Sequence, residues 1–114
     1  MSRDWRKKLV RKLRVWAADR FPLTFPIRVY VRPASRMANH LGFFEYDNDT
    51  DRGVICISDG CDREATTDTF IEEWAHARTT YLIDMEDHSD DPWHHAGFWA
   101  EYGRIQCAAR EVAW

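Results

Sequence analysis

No run in this sequence approaches the roughly 20 consecutive apolar residues that a membrane-spanning helix needs. The N-terminus is basic and no apolar stretch follows it, so the expectation is a soluble, unsecreted protein. Cysteine is scarce: Cys56, Cys61 and Cys107 are odd in number, widely spaced and without a CxxC pair. A disulfide framework and a zinc ribbon are therefore excluded, and reduced thiols in a cytoplasmic setting are expected. Neither an internal repeat nor a low-complexity segment is present. With 45% hydrophobic and 31% charged residues, and six Trp, six Phe and four Tyr, disorder is excluded as well. A chain of 114 residues suits one domain with one modest core, here taken as residues 1–114.

Charge is unevenly placed. Residues 3–14 hold seven basic side chains (Arg3, Arg6, Lys7, Lys8, Arg11, Lys12, Arg14) and one acidic one, Asp4, out of 16 and 19 in the whole chain. Positions 15–114 are left with nine basic and eighteen acidic residues, a balance of −9. A basic first segment is attached to an acidic body.

Apolar residues at Trp5, Leu9, Leu13 and Trp16 share one helical face, which predicts a helix over about 3–18. Phe21-Pro22 and Phe25-Pro26 end it, because the residue before proline avoids helical angles. Ile27 to Arg32 alternates as a strand does. Leu41 to Tyr46 and Val54 to Ile57 are two further short apolar runs, joined by a polar Asp-Asn-Gly turn that predicts a hairpin. A second helix is expected over about 68–83, capped by Thr66 or Thr67, and a third over about 93–112. The acidic connection Asp84 to Pro92 lacks the glycine and terminal glutamate of a calcium loop. The predicted class is α+β: an N-terminal helix, a small, mostly antiparallel three-stranded sheet, then two helices.

The second helix carries Glu72-Glu73-Trp74-Ala75-His76. Residues four apart lie one above the other, so Glu72 and His76 can address one atom, while Glu73 points aside within reach of a water beside it. This is the register of the H-E-x-x-H metal helix with glutamate in the first place. Carboxylate is an acceptable zinc ligand, and its added negative charge favours harder ions such as manganese or iron more than three histidines would. Thr69-x-x-Glu72 also matches a capping box, in which Glu72 only turns back to the backbone. Four of the five histidines, His76, His88, His94 and His95, fall within twenty residues, which supplies a third ligand from a segment that folds back. Of His94 and His95 only one can reach the same ion, because neighbours on a helix point about 100° apart. His88 reads as a solvated loop residue and His40 as structural or exposed. Trp74, Phe98, Trp99 and Tyr102 read as core.

Together, Glu72-Glu-Trp-Ala-His-Ala77 and His94-His-Ala-Gly-Phe98 resemble the SprT-like zincin metallopeptidases, particularly the short versions encoded by bacteriophages. There, H-E-x-[LYW]-A-H-A is followed by H-G-x-x-[FW]. The resemblance implies a zincin-like fold, Glu73 as general base, and His76 and His94 as ligands of one divalent metal. A protein or peptide substrate and a bacterial or phage-infected cytoplasm follow from it. Glu72 stands where that family has histidine, and His95 where it has glycine. The alternative expectation is a catalytically degenerate zincin-like module that binds protein or nucleic acid through residues 3–14.

Overall fold

The computed structural model describes residues 4–80, 94 and 96–114. Helix α1 (Asp4–Arg20) buries Leu9, Val10, Leu13 and Ala17, with Trp5 and Trp16 packed at the margin of the core. Its other faces leave Lys7, Lys8, Arg11, Lys12 and Arg14 exposed. The chain then enters strand β1 (Ile27–Arg32), whose alternation turns Ile27, Val29 and Val31 inward. Strands β2 (Gly42–Asp47) and β3 (Arg52–Ser58) form the expected antiparallel hairpin. Asp51 adopts φ 53° in its turn and accepts a hydrogen bond from the Tyr46 hydroxyl.

The sheet order is β1-β3-β2, and β1 runs parallel to β3, pairing Ile27 with Gly53 through Arg32 with Ser58. The largely antiparallel sheet expected from the sequence is thus mixed. Residues 33–41, which include a 3₁₀ turn at Ala34–Arg36, carry the chain across the sheet end to its far edge, leaving the central place to β3. Alternation of side chains specifies a strand's two faces but not its neighbours.

Helix α2 (Arg63–Thr79) begins earlier than the sequence suggests. Asp62 is the N-cap, its carboxylate accepting from the Ala65 N–H at 2.8 Å. Thr66 and Thr67 are not caps: their hydroxyls donate to the carbonyls of Asp62 and Arg63, four residues back. Aspartate is at least as good an N-cap as threonine, and a threonine inside a helix satisfies itself in this way. The last helix, α3 (Ala96–Ala109), is shorter than expected at its C-terminal end, and the expected beginning at Trp93 lies outside the described residues.

α2 packs against α1, α3, β2 and β3. Phe70, Ile71, Trp74 and Ala75 are no more than 1% exposed, and the Trp74 indole N–H donates to the Phe21 carbonyl at 2.8 Å. A helix surrounded in this way cannot keep a purely polar face for solvent. Glu73 and His76 are accordingly buried with the apolar residues. Among the described residues no helix is long and apolar enough to cross a membrane.

One glycine sets the approach of α2 to the sheet. A Cβ on Gly42 would stand 2.5 Å from Thr69 Cγ2 and 3.0 Å from the Cys56 carbonyl oxygen, with Glu73 Cγ at 3.5 Å. Gly42→Ala is expected to push β2 away from α2 and to lower stability by about 1–3 kcal/mol, as overpacking does. Urea unfolding of the two proteins measures the difference.

Candidate metal centre

α2 places Asp68, Glu72 and His76 at four-residue intervals on one stripe. The opposing stripe, from His94 into α3, carries Phe98, Tyr102 and Gln106 at the same interval. The two helices run antiparallel, so the rows meet in reverse order. His76 lies against His94 and Phe98, with ring centroids 5.0 and 4.2 Å away. Asp68 accepts hydrogen bonds from the Tyr102 hydroxyl and the Gln106 amide. Beside the stripe, Arg78 pairs with Glu101 and donates to the Pro22 carbonyl, tying α2 to α3 and to the exit of α1.

Glu72, His76 and His94 each offer a ligand atom, and these atoms all lie within 4.8 Å of one another. A spread of that size is closed on a single ion by small side-chain rotations, since each ligand bond is about 2.0–2.2 Å long. The three residues can therefore hold a metal ion. They come from two segments with a buried aromatic floor: Phe98 is 1% exposed, stacks on His76 and stands edge-on to His94, its centroid 5.0 Å away. Two imidazoles and a carboxylate form a mixed nitrogen and oxygen donor set of the kind that binds zinc.

The electrostatics point the same way. Burial, and then the neighbouring Glu72, push the Glu73 carboxyl up to about 8. Burial also raises Glu72, with His94 pulling it down and Asp68 pushing it up. Tyr102 is raised by burial and by its bond to Asp68. Among the described residues, no lysine or arginine forms an ion pair with Asp68, Glu72 or Glu73. A divalent cation would reverse this balance and favour ionised carboxylates. Glu101 shows what a supplied cation does: burial pushes it up, yet Arg78 and Arg104 together hold it below the usual range.

Of the sequence-based alternatives, the capping box at Thr69 and Glu72 is overturned. With the helix beginning at Arg63 and capped by Asp62, both residues lie in its interior, beyond the free N–H groups of the first turn. His94 joins Glu72 and His76, His40 is exposed, and His88 and His95 lie outside the described residues. Phe98 and Trp74 are core, whereas Trp99 is 56% exposed. The sequence reading missed Asp68 and Gln106. The signal was present as Asp68-x-x-x-Glu72-x-x-x-His76, an acidic residue one turn before the candidate ligands.

Comparison with protein-family models, curated proteins and solved structures finds no match to this chain.

Proposed function

We propose that this chain is a zincin-like metal-dependent peptidase similar to the SprT-like group, holding one divalent cation through Glu72, His76 and His94. The observation that carries the reading is the convergence of three ligand atoms within 4.8 Å, next to a Glu73 that is only 5% exposed. Zinc fits the donor set best, and the carboxylate at Glu72 also admits manganese or iron. When bound, such a cation polarises a peptide carbonyl and lowers the pKa of a coordinated water.

The chain supplies the rest. Glu73, one position beyond Glu72 on α2, is the general base: its carboxylate takes the proton of the attacking water and returns it to the leaving amine nitrogen. Burial makes it a stronger base than an exposed glutamate. Phe98 holds the His76 ring by stacking, which limits the rotations open to a ligand on that ring. Glu72 adds negative charge close to the reacting atoms, so hydrolysis is slower than at a three-histidine site. The experiment is metal content by mass spectrometry after zinc or manganese is supplied, with cleavage of an unfolded polypeptide before and after chelation. One ion per chain and chelator-sensitive cleavage are expected; no metal uptake overturns the reading.

A second reading keeps the fold without the chemistry, as a degenerate module for nucleic acid. It is favoured by the exposure of Lys7, Lys8, Arg11, Lys12 and Arg14 along α1. It predicts metal-independent binding of duplex DNA that falls steeply between about 50 and 200 mM salt. Fluorescence anisotropy at low salt removes this reading if no binding is seen.

A further inference from the structure

Trp99 is 56% exposed, although Phe98 beside it is 1% exposed. The other large hydrophobic side chains exposed among the described residues, Val15, Tyr30 and Leu41, belong to α1, β1 and the connection after β1, none of which carries a ligand. Trp99 is at the candidate centre itself. Its ring centroid lies 5.7 Å from that of His94, 5.0 Å from Phe98 and 5.9 Å from Tyr102.

The contacts fix its orientation. Phe98 and Tyr102 meet the indole edge-on, at 73° and 88°, while the His94 ring is tilted by 31°. Three aromatic neighbours on the protein side hold the ring without covering it, leaving more than half of its surface to solvent at the margin of the ligand group. Among the described residues the neighbouring groups are polar: Asp68, Tyr102 and Gln106 are joined by hydrogen bonds, and Glu72 is a carboxylate. Among the described residues, an apolar group entering beside the ligands meets one large exposed apolar surface, the Trp99 indole.

We propose that Trp99 is a wall of the substrate cleft and gives the site a preference for polypeptides with an aromatic or large aliphatic side chain next to the bond that is cut. This rests on the metal-peptidase reading above. Aromatic rings prefer offset or edge-to-face contact with centroids about 4.5–7 Å apart, and a ring held by its neighbours loses little freedom when a partner binds.

The test uses ligands that need no turnover. Phenylalanine hydroxamate and alanine hydroxamate share a metal-chelating head and differ in a phenyl ring. Their affinities for the zinc-loaded protein, for Trp99→Ala and for Trp99→Phe are measured by calorimetry, with zinc content checked in each. In the parent the phenyl compound is expected to bind at least tenfold more tightly. Trp99→Ala brings the two within about twofold with alanine hydroxamate unchanged, and Trp99→Phe keeps most of the preference. Equal affinities in the parent, or an undiminished preference in Trp99→Ala, overturn the proposal and leave the metal reading standing. Failure of both compounds to bind the zinc-treated parent overturns the metal reading and this one with it.

Discussion

Glu73→Gln is expected to lower peptide hydrolysis by about 10²–10⁴-fold, the usual contribution of a positioned general base, while metal content stays at the parental level. The amide keeps the shape of the carboxyl but cannot accept a proton at neutral pH. At a position only 5% exposed, and close enough to β2 that Glu73 Cγ would be 3.5 Å from a Cβ on Gly42, preservation of shape decides whether the variant folds. Retained metal with lost cleavage assigns the residue to the proton, whereas loss of metal would make Glu73 part of the ligand set. Binding of DNA through α1 is expected to be indifferent to the change, which separates the two functional readings.

The same substitution has a signature in the metal-free protein. A carboxyl raised from its ordinary value of 4.5 to about 8 binds its proton more tightly in the folded chain than in the unfolded one. Its contribution to stability is therefore full below about pH 4.5 and is lost as pH rises towards 8, by a few kcal/mol at about 1.4 kcal/mol for each pH unit. Metal-free parent is expected to weaken over this window in urea titrations, and Glu73→Gln to show a flatter profile and greater stability at pH 8. Loading the site with zinc opposes the parental slope, because a cation favours the ionised carboxylate.

His76→Ala carries the other large effect. Loss of one of three protein ligands is expected to weaken zinc binding by at least 10²-fold, since even residues that only orient a ligand are worth about 10–100-fold. Zinc at a thousand times its Kd adds about 4 kcal/mol to the folded state. In a domain of this size that raises Tm by more than about 10 °C. The parent should show this shift and the variant almost none at the same concentration. The zinc-induced shift is the correct comparison, not Tm alone, because the His76 ring also packs on Phe98 and its removal costs packing without metal. An equal shift in parent and variant would show that zinc acts elsewhere.

Much of this architecture was legible in local spacing. The 3-to-4 periodicity around Leu9 and Leu13 reports the buried stripe of α1, and the alternation over Ile27–Arg32 gives β1 with both its ends. Glu72 and His76 are paired by their four-residue spacing alone. What spacing does not carry is the choice among competitors. Asp62 displaced the threonines as the cap because it stood at the true helix start, which depends on how far α2 reaches along β2 and β3. β1 took a parallel partner because the connection after it crosses the sheet end. Asp68 gained Tyr102 and Gln106 as hydrogen-bond partners only through the antiparallel docking of α3 on α2, a long-range contact with no counterpart in either segment by itself.

The parallel pairing of Ile27–Arg32 with Gly53–Ser58 also orders events in time. β2 and β3 are adjacent in the chain and can close as a hairpin in about 1–10 µs, but β1 has no partner until β3 exists. On a ribosome, which extends the chain at about 5–20 residues per second, α1 and β1 emerge seconds before the strand that receives them. During that interval Leu9, Leu13 and Val29 lack the partners they pack against in the finished core.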